Sequence, residues 1–419
     1  MYQRSVLSNG LRVVSSSMPH TRSVSVGIYV GSGSRYETDD IAGVSHFLEH
    51  MLFKGTTRRP LAQQIAEEIE GVGGVMNAAT DRELTVYWAK VGSQHFVRCL
   101  DVLSDALLNS VFDATEIEKE RQVILEELAM TEDSPGDLAG LLIDEILWPG
   151  QPLGRDVGGS KDTVSAVTRD QILDYVARTY GPAETVLSVA GNVTHDEVVT
   201  QAEGMLGGWA ARKLDTWFPV QDTAARRVGL RSKKSEQAHV CIAAHGLHSE
   251  HPDRYALDVL NTVLGEGMSS RLFVEIRENL ALAYDVHSYV AHYRDAGCVV
   301  VGAGVDPSKI DPTIEACLRE IERIQEPVSD HELVKAKELM KGRLQLRMED
   351  TRAVASWMGG FELLRGSILT VDEILALIDG VTVEDVQRVA RQLLGRDRLH
   401  LSVVGPYRSE KRFARLLGA

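Results

Sequence analysis

The sequence contains no CxxC pair. Its four cysteines, Cys99, Cys241, Cys298 and Cys317, are scattered through 419 residues. In a chain of this size they read as buried thiols, not as a disulfide framework. Long apolar runs are also missing, so no segment approaches the length of a membrane span. Basic residues are outnumbered, 45 Lys and Arg against 60 Asp and Glu, for a formal net charge of −15. A nucleic-acid binder needs a basic stripe, which this balance argues against. Residues 1–7 show neither a charged region followed by an apolar core nor an Arg/Ser-rich amphipathic leader. The expectation is a soluble, cytoplasmic protein with no membrane or nucleic-acid partner.

What is present suits packed domains. Apolar residues make up 44% of the chain, and the length calls for two or three domains. The two halves are also built alike. An alternating run at residues 23–30 ends in a Gly/Ser loop and precedes a helix, and the same order returns at residues 239–244. Similar apolar strands ending at Gly close each half, TVLSVAGN at 185–192 and LHLSVVGP at 399–406, offset by 214 residues. Long-period self-similarity fixes architecture before any motif is read. Helical periodicity marks residues 61–70, 94–111, 116–130 and 169–180, and strand alternation marks 85–91. Strands and helices do not alternate strictly. The reading is α+β: two homologous domains at 1–210 and 237–419, each a mainly antiparallel sheet flanked by helices, joined by a linker at 211–236.

The segment SHFLEHMLF (45–53) carries the chemistry. At about 100° per residue, His46, Glu49 and His50 share one arc of a helix, and Val44, Phe47, Leu48, Met51 and Leu52 fill the other. Histidines four apart on one face can both reach a zinc ion, which then needs a third protein ligand and one open position. Chance alone would supply HxxEH in a few chains per hundred, so the third ligand decides the matter. Downstream, Ile117, Glu120, Ile124 and Glu127 form one stripe of an acidic helix, whereas Lys119, Gln122 and Glu126 form a polar row. A carboxylate against an apolar core is costly unless paired or metal-bound. That argument makes Glu127 the third ligand and Glu120 its support, with Glu49 left to take a proton from the attacking water.

These residues resemble a known family. HFLEHMLFKGT (46–56), GGVMNAATDRELTVYW (73–88) and ERQVILEE (120–127) are similar to the inverzincin, pitrilysin-type metallopeptidases, whose mark is the inverted HxxEH order. Length and paired halves look most like the β subunit of mitochondrial processing peptidase and its bacterial relatives. The resemblance covers essentially the whole chain. It implies one Zn2+ per chain on His46, His50 and Glu127, Glu49 as the base and Glu120 as an accessory acid. It places Asn77 and Ala78 on a strand edge that pairs with an extended substrate. It also implies that SSRLFVEIRENLALAYDV (269–286) presents Arg277 and Tyr284 to the substrate carbonyl. Without the resemblance, Arg277 would read as a surface helix residue and Tyr284 as a core residue at a strand start. The implied assembly is a homodimer with a closed chamber and shared active sites, acting on peptides or unfolded segments.

The 214-residue offset sets Leu260, Val263 and Leu264 opposite His46, Glu49 and His50, so the second half cannot bind metal at that place. His245, His248 and His251 lack helical register and a carboxylate at ligand spacing, and read as a solvated loop. The rival function is a catalytically silent structural or assembly subunit of the same fold. Such subunits lose metal ligands, and none is lost here.

Overall fold

The computed structural model describes residues 2–223 and 226–419. The chain forms two compact units: Met1–Leu128, Asp156–Phe218 and Gln345–Thr370 in the first, and Ala129–Arg155, Pro219–Leu344 and Val371–Ala419 in the second. The strands of the first unit are β1 (Tyr2–Val6), β2 (Arg12–Ser17), β3 (Ser23–Val30), β4 (Val75–Thr80), β5 (Thr85–Gly92) and β6 (Thr185–Gly191). They form one sheet in the order β1-β2-β6-β3-β5-β4, antiparallel except for the β2–β6 pair. The second unit holds β7 (Val228–Ser232), β8 (Ala238–His245), β9 (Ala283–His292), β10 (Gly297–Val305) and β11 (His400–Gly405). Its order is β7-β11-β8-β10-β9, antiparallel except for β7–β11.

Apart from β1, the two sheets match strand for strand, and the duplication extends to individual pairs. Ile28 faces Leu187 on one side and Tyr87 on the other. Ile242 faces Leu401 and Val301. Each member of the second set lies 214 residues after its counterpart. The α+β reading with two homologous, mainly antiparallel sheets is therefore correct.

The helices that position the candidate site and cover the sheets begin with α1 (Val44–Met51), α2 (Ala62–Glu70), α3 (Phe96–Asn109), α4 (Ala114–Asp133) and α5 (Pro135–Leu147). In the first unit one face of the sheet packs Val26 and Ile28 with Phe47, Leu48, Leu100 and Ile124. Its other face packs Tyr29, Val186 and Ala190 under helix Thr351–Arg365, through Ala355, Met358 and Leu363. Both faces being covered, β3 and β6 read as near-continuous buried runs. In the second unit, α5 lays Leu138, Leu142 and Ile146 on Cys241, Val300 and Val404.

These two covering helices are exchanged along the chain. The first sheet takes its cover from the second half of the sequence, and the second sheet takes α5 from the first half. One hydrogen bond repeats with the exchange: Ser188 Oγ donates to the Ala355 carbonyl at 2.7 Å, and Ser402 Oγ donates to the Ala139 carbonyl at 2.8 Å. A single boundary at 211–236 does not divide the chain this way, because amphipathic periodicity shows that a helix has an apolar face without saying which sheet receives it. The stretch expected as linker also contains β7, a short strand whose Arg231 and Ser232 are exposed.

Four cysteines are buried thiols, as read. Among the described residues no helix is long and apolar enough to cross a membrane.

The histidines of 245–251 divide. His245 ends β8, its ring 5.9 Å from Trp148 and 5.8 Å from His400 on β11. His248 and His251 lie in the following loop, rings 5.4 Å apart. Burial pushes His400 below the ordinary imidazole range; His245, exposed at the end of β8, is lowered by the partial burial of its ring and then by His400. Below about pH 6.5 the unfolded chain gains protons at these rings that the folded chain does not yet accept. Stability at these two sites is therefore full above that pH and falls as the pH drops toward the depressed folded values. Thermal melts of the whole chain from pH 8 to 5 should show Tm falling on acidification. The double variant His245→Gln/His400→Gln should lose part of that slope.

Candidate metal centre

Helix α1 is short, and its entry is fixed by the chain around it. Gly43 precedes it with φ +95°, a conformation that favours glycine, and a Cβ there would lie 2.5 Å from the Gly158 carbonyl oxygen. The fully buried Glu37 carboxylate accepts the Gly43 N–H at 2.8 Å and the Ser45 N–H at 2.7 Å. It satisfies two of the donors that a helix start leaves open and places negative charge at the positive end of the dipole. Ser45 Oγ is 2.8 Å from the Tyr175 hydroxyl. Val44, Phe47, Leu48, Met51 and Leu52 are buried, as their arc requires. The opposite face is left to His46, Glu49 and His50.

Helix α4 is held along the side of α1 that carries the histidines, next to Phe47. The Arg121 guanidinium sits 5.4 Å from the Phe47 ring centroid and donates to the Val164 and Val167 carbonyls. This sets Glu120 and Glu127, two turns apart, toward the histidines. Glu127 Oε2 lies 3.6 Å from His46 Nε2 and 3.6 Å from His50 Nε2, and the two Nε2 atoms are 3.3 Å apart. Two imidazoles and one carboxylate thus converge, and this is the one group of potential metal ligands found among the described residues.

The donor set fits a zinc ion. Bonds of 2.0–2.1 Å in tetrahedral geometry put neighbouring donors about 3.3–3.4 Å apart. One shared proton could satisfy at most one of the three contacts, whereas a cation would satisfy all of them. The His50 tautomer also suits a ligand. Its Nδ1 lies 3.0 Å from Glu120 Oε2, so Nδ1–H donates to the carboxylate, and a neutral ring held this way offers its Nε2 lone pair to a metal. Burial, then the neighbouring His50 ring, push His46 below the ordinary imidazole range, which favours the neutral ring that a metal requires. His46 Nδ1 is buried without a hydrogen-bond partner among the described residues.

The two acids of α4 differ from the expectation in one respect. Ile117, Glu120 and Ile124 are buried, but the Glu127 side chain is 45% exposed. The apolar stripe leaves the core after Ile124, so the cost of a buried carboxylate belongs to Glu120 and does not by itself single out Glu127. Glu120 has both oxygens engaged, Oε2 by His50 and Oε1 by Lys54 Nζ at 2.6 Å. Sequence reasoning missed Lys54, which lies past the end of α1 and outside its helical register. Glu49 is half-buried and outside the donor set. Its carboxylate acts electrostatically on His46 and on the buried Tyr87 and Tyr180, whose hydroxyls are 2.9 Å apart.

Asn77 and Ala78 lie on β4, the last strand of its sheet, opposite Trp88 and Tyr87 of β5. Asn77 is exposed, and its Oδ1 accepts the Ala78 N–H at 2.8 Å. In the second unit, Arg277 belongs to a π-helical turn, Phe273–Asn279. It donates to the Tyr284 carbonyl at 3.0 Å, with its guanidinium 4.7 Å from the Phe273 ring centroid and 4.5 Å from that of Tyr284. Tyr284 is 77% exposed, not a core residue. The β9–β10 register passes from Gly304–Asp285 to Val305–Ala283 and skips Tyr284. Such a bulge re-aims a side chain that simple alternation would bury. Leu260, Val263 and Leu264 are buried within helix Arg254–Gly265, so the second unit packs hydrocarbon where the first carries its donors.

The fold and the donor set thus define a duplicated α+β protein with a candidate divalent-metal centre. Residues 12–161 match the family described as insulinase (peptidase family M16), and residues 166–340 match the peptidase M16 inactive domain. The chain is 41% identical to a Streptomyces coelicolor protein named as an uncharacterized zinc protease, over 98% of this chain and 90% of that one. It is 38% identical to a Bacillus subtilis protein of the same description, over 97% and 98%. A solved protease from Helicobacter pylori shares the fold, with a TM-score of 0.89, 23% identity, and 97% and 99% of the two chains covered. So does a chain of complex III2 from Candida albicans, with a TM-score of 0.85, 19% identity and 99% of each chain covered. The chain belongs to peptidase family M16.

Proposed function

We propose that this chain is a zinc-dependent endopeptidase that hydrolyses peptides or unfolded segments inside a closed chamber. The observation that carries this is the convergence of His46 Nε2, His50 Nε2 and Glu127 Oε2 at 3.3–3.6 Å. The names of the Streptomyces and Bacillus relatives support both peptidase activity and zinc. One zinc per chain on these three residues would polarise the scissile carbonyl and make water a nucleophile near neutral pH. Glu49 takes a proton from the attacking water and returns it to the leaving amine. Glu120 acts as the accessory acid by holding His50 in its ligand tautomer. An extended substrate adds to the free edge of β4 at Asn77 and Ala78, displacing the local bond between them.

Arg277 and Tyr284 form a stacked, partly exposed pair suited to hydrogen bonding a substrate carbonyl and to stabilising charge on its oxygen. We propose that they serve the metal-bearing unit of a second chain in a homodimer. Mixing Glu49→Gln chains with Arg277→Ala chains after subunit exchange should then restore activity, because one hybrid site is intact. Two inactive parents that stay inactive when mixed would remove the shared-site proposal.

A second reading, a silent structural or assembly subunit, draws support from the complex III2 likeness and from the inactive-domain match. Metal analysis together with cleavage of a quenched peptide library separates the two. Zinc with cleavage supports the peptidase. Zinc without cleavage, or neither, supports the silent subunit.

A further inference from the structure

The Glu120 carboxylate lies between the His50 ring and the Lys54 ammonium, one oxygen on each. Glu120 is 6% exposed, with Oε2 at 3.0 Å from His50 Nδ1 and Oε1 at 2.6 Å from Lys54 Nζ. A carboxylate this buried is costly without a counter-charge. Neutral His50 donates one hydrogen bond and no charge, so Lys54 is the full positive charge bound to this carboxylate. Its side chain is 29% exposed, which leaves its ammonium only partly in solvent.

The chain holds that ammonium in place by an elaborate turn. The Lys54 N–H donates to the Met51 carbonyl at 3.1 Å, at the end of α1. Gly55 follows with φ +134°, and a Cβ on it would lie 2.5 Å from the Pro60 carbonyl oxygen. The Gly55 carbonyl accepts the Val111 N–H at 3.1 Å, Thr56 bridges to Ser110, and Ser110 Oγ donates to the Leu52 carbonyl at 3.0 Å. Thr56 Oγ1 and Arg59 both bind the Asp105 carboxylate of α3. Residues 110–111 lead directly into α4. The same clamp therefore fixes the Lys54 turn to the start of the helix that carries Glu120.

We propose that Lys54 is a positioning residue of the metal centre. Through its ion pair it holds Glu120 against His50 Nδ1, and so keeps His50 Nε2 open toward a divalent metal. The proposal rests on His46, His50 and Glu127 being the metal ligands. Lys54 is not part of the donor set, and its ion pair is with Glu120.

The test compares the full-length wild type with Lys54→Met, Lys54→Gln, Lys54→Arg and His50→Gln. Zinc dissociation constants are measured by chelator competition. The His50 tautomer is read from 15N shifts of the metal-free, histidine-labelled protein near pH 8, the signal being assigned by its loss in His50→Gln. Loss of an outer-shell partner typically weakens metal binding ~10–100-fold. That range is expected for the Met and Gln variants, with Nδ1 protonation no longer dominant at His50. The Arg variant should bind within about threefold of wild type, since it restores the charge-assisted bond. Wild-type zinc binding lost in His50→Gln but undiminished in Lys54→Met and Lys54→Gln would overturn the proposal and leave the ligand assignment standing. Equal weakening in the Arg variant would mark packing rather than charge, and would overturn it too. Zinc binding unchanged in His50→Gln would remove the ligand assignment and this proposal together.

Discussion

Glu49→Gln is expected to lower peptide cleavage by about 10²–10⁴-fold, the range a positioned general base contributes. Zinc content should be unchanged. Glu49 stands on the same arc of α1 as both histidines, immediately before His50, but is not in the donor set. Gln keeps the shape and hydrogen-bonding reach of Glu and cannot accept a proton from water. α1 should survive the change, because its five back-face residues are buried and its start is capped by Glu37. The experiment pairs steady-state cleavage of a quenched peptide with metal analysis and a thermal melt on the same preparations. Cleavage near the wild-type rate with zinc in place would move the base to another residue.

The second large effect concerns the metal. Glu127→Ala and His50→Ala should each weaken zinc binding by more than the ~10–100-fold typical of an outer-shell partner. Glu120→Gln should fall within that range. The variants should differ in stability. The Glu127 side chain is 45% exposed and Glu120 7%. Glu127→Ala should therefore leave the Tm of the metal-free protein nearly unchanged. Glu120→Gln leaves the Lys54 ammonium without its partner carboxylate and should lower it. Competition with a chromophoric chelator and parallel melts of metal-free samples measure both. A Glu127→Ala chain that binds zinc as tightly as wild type would exclude that carboxylate as a ligand.

How much of this was legible in the sequence depends on how local each feature is. The α1 face was legible because it needs only 3.6-residue periodicity and eight residues. The duplication was legible because the 214-residue offset preserves strand pairs such as Ile28–Leu187 and Ile242–Leu401. Features set by tertiary contact were not. Heptad spacing put Glu120 and Glu127 on one stripe, but only packing shows that the stripe reaches solvent before Glu127. Tyr284 looked like a core residue because alternation assumes continuous register, and a bulge interrupts it. The exchange of α5 and helix Thr351–Arg365 was hidden because an apolar helix face does not specify its sheet. Lys54 carried no periodic signal: a glycine-dependent turn, not a helix, brings it to Glu120.

The proposed chemistry requires two imidazoles and one carboxylate to hold a single zinc ion. Anomalous diffraction from crystals of the zinc-loaded protein, measured on both sides of the zinc absorption edge, tests it most directly. One peak per chain is expected, about 2.0–2.1 Å from His46 Nε2 and His50 Nε2 and about 2.0–2.2 Å from a Glu127 oxygen. A zinc peak elsewhere, or none at these residues in protein shown to cleave peptides, would contradict it.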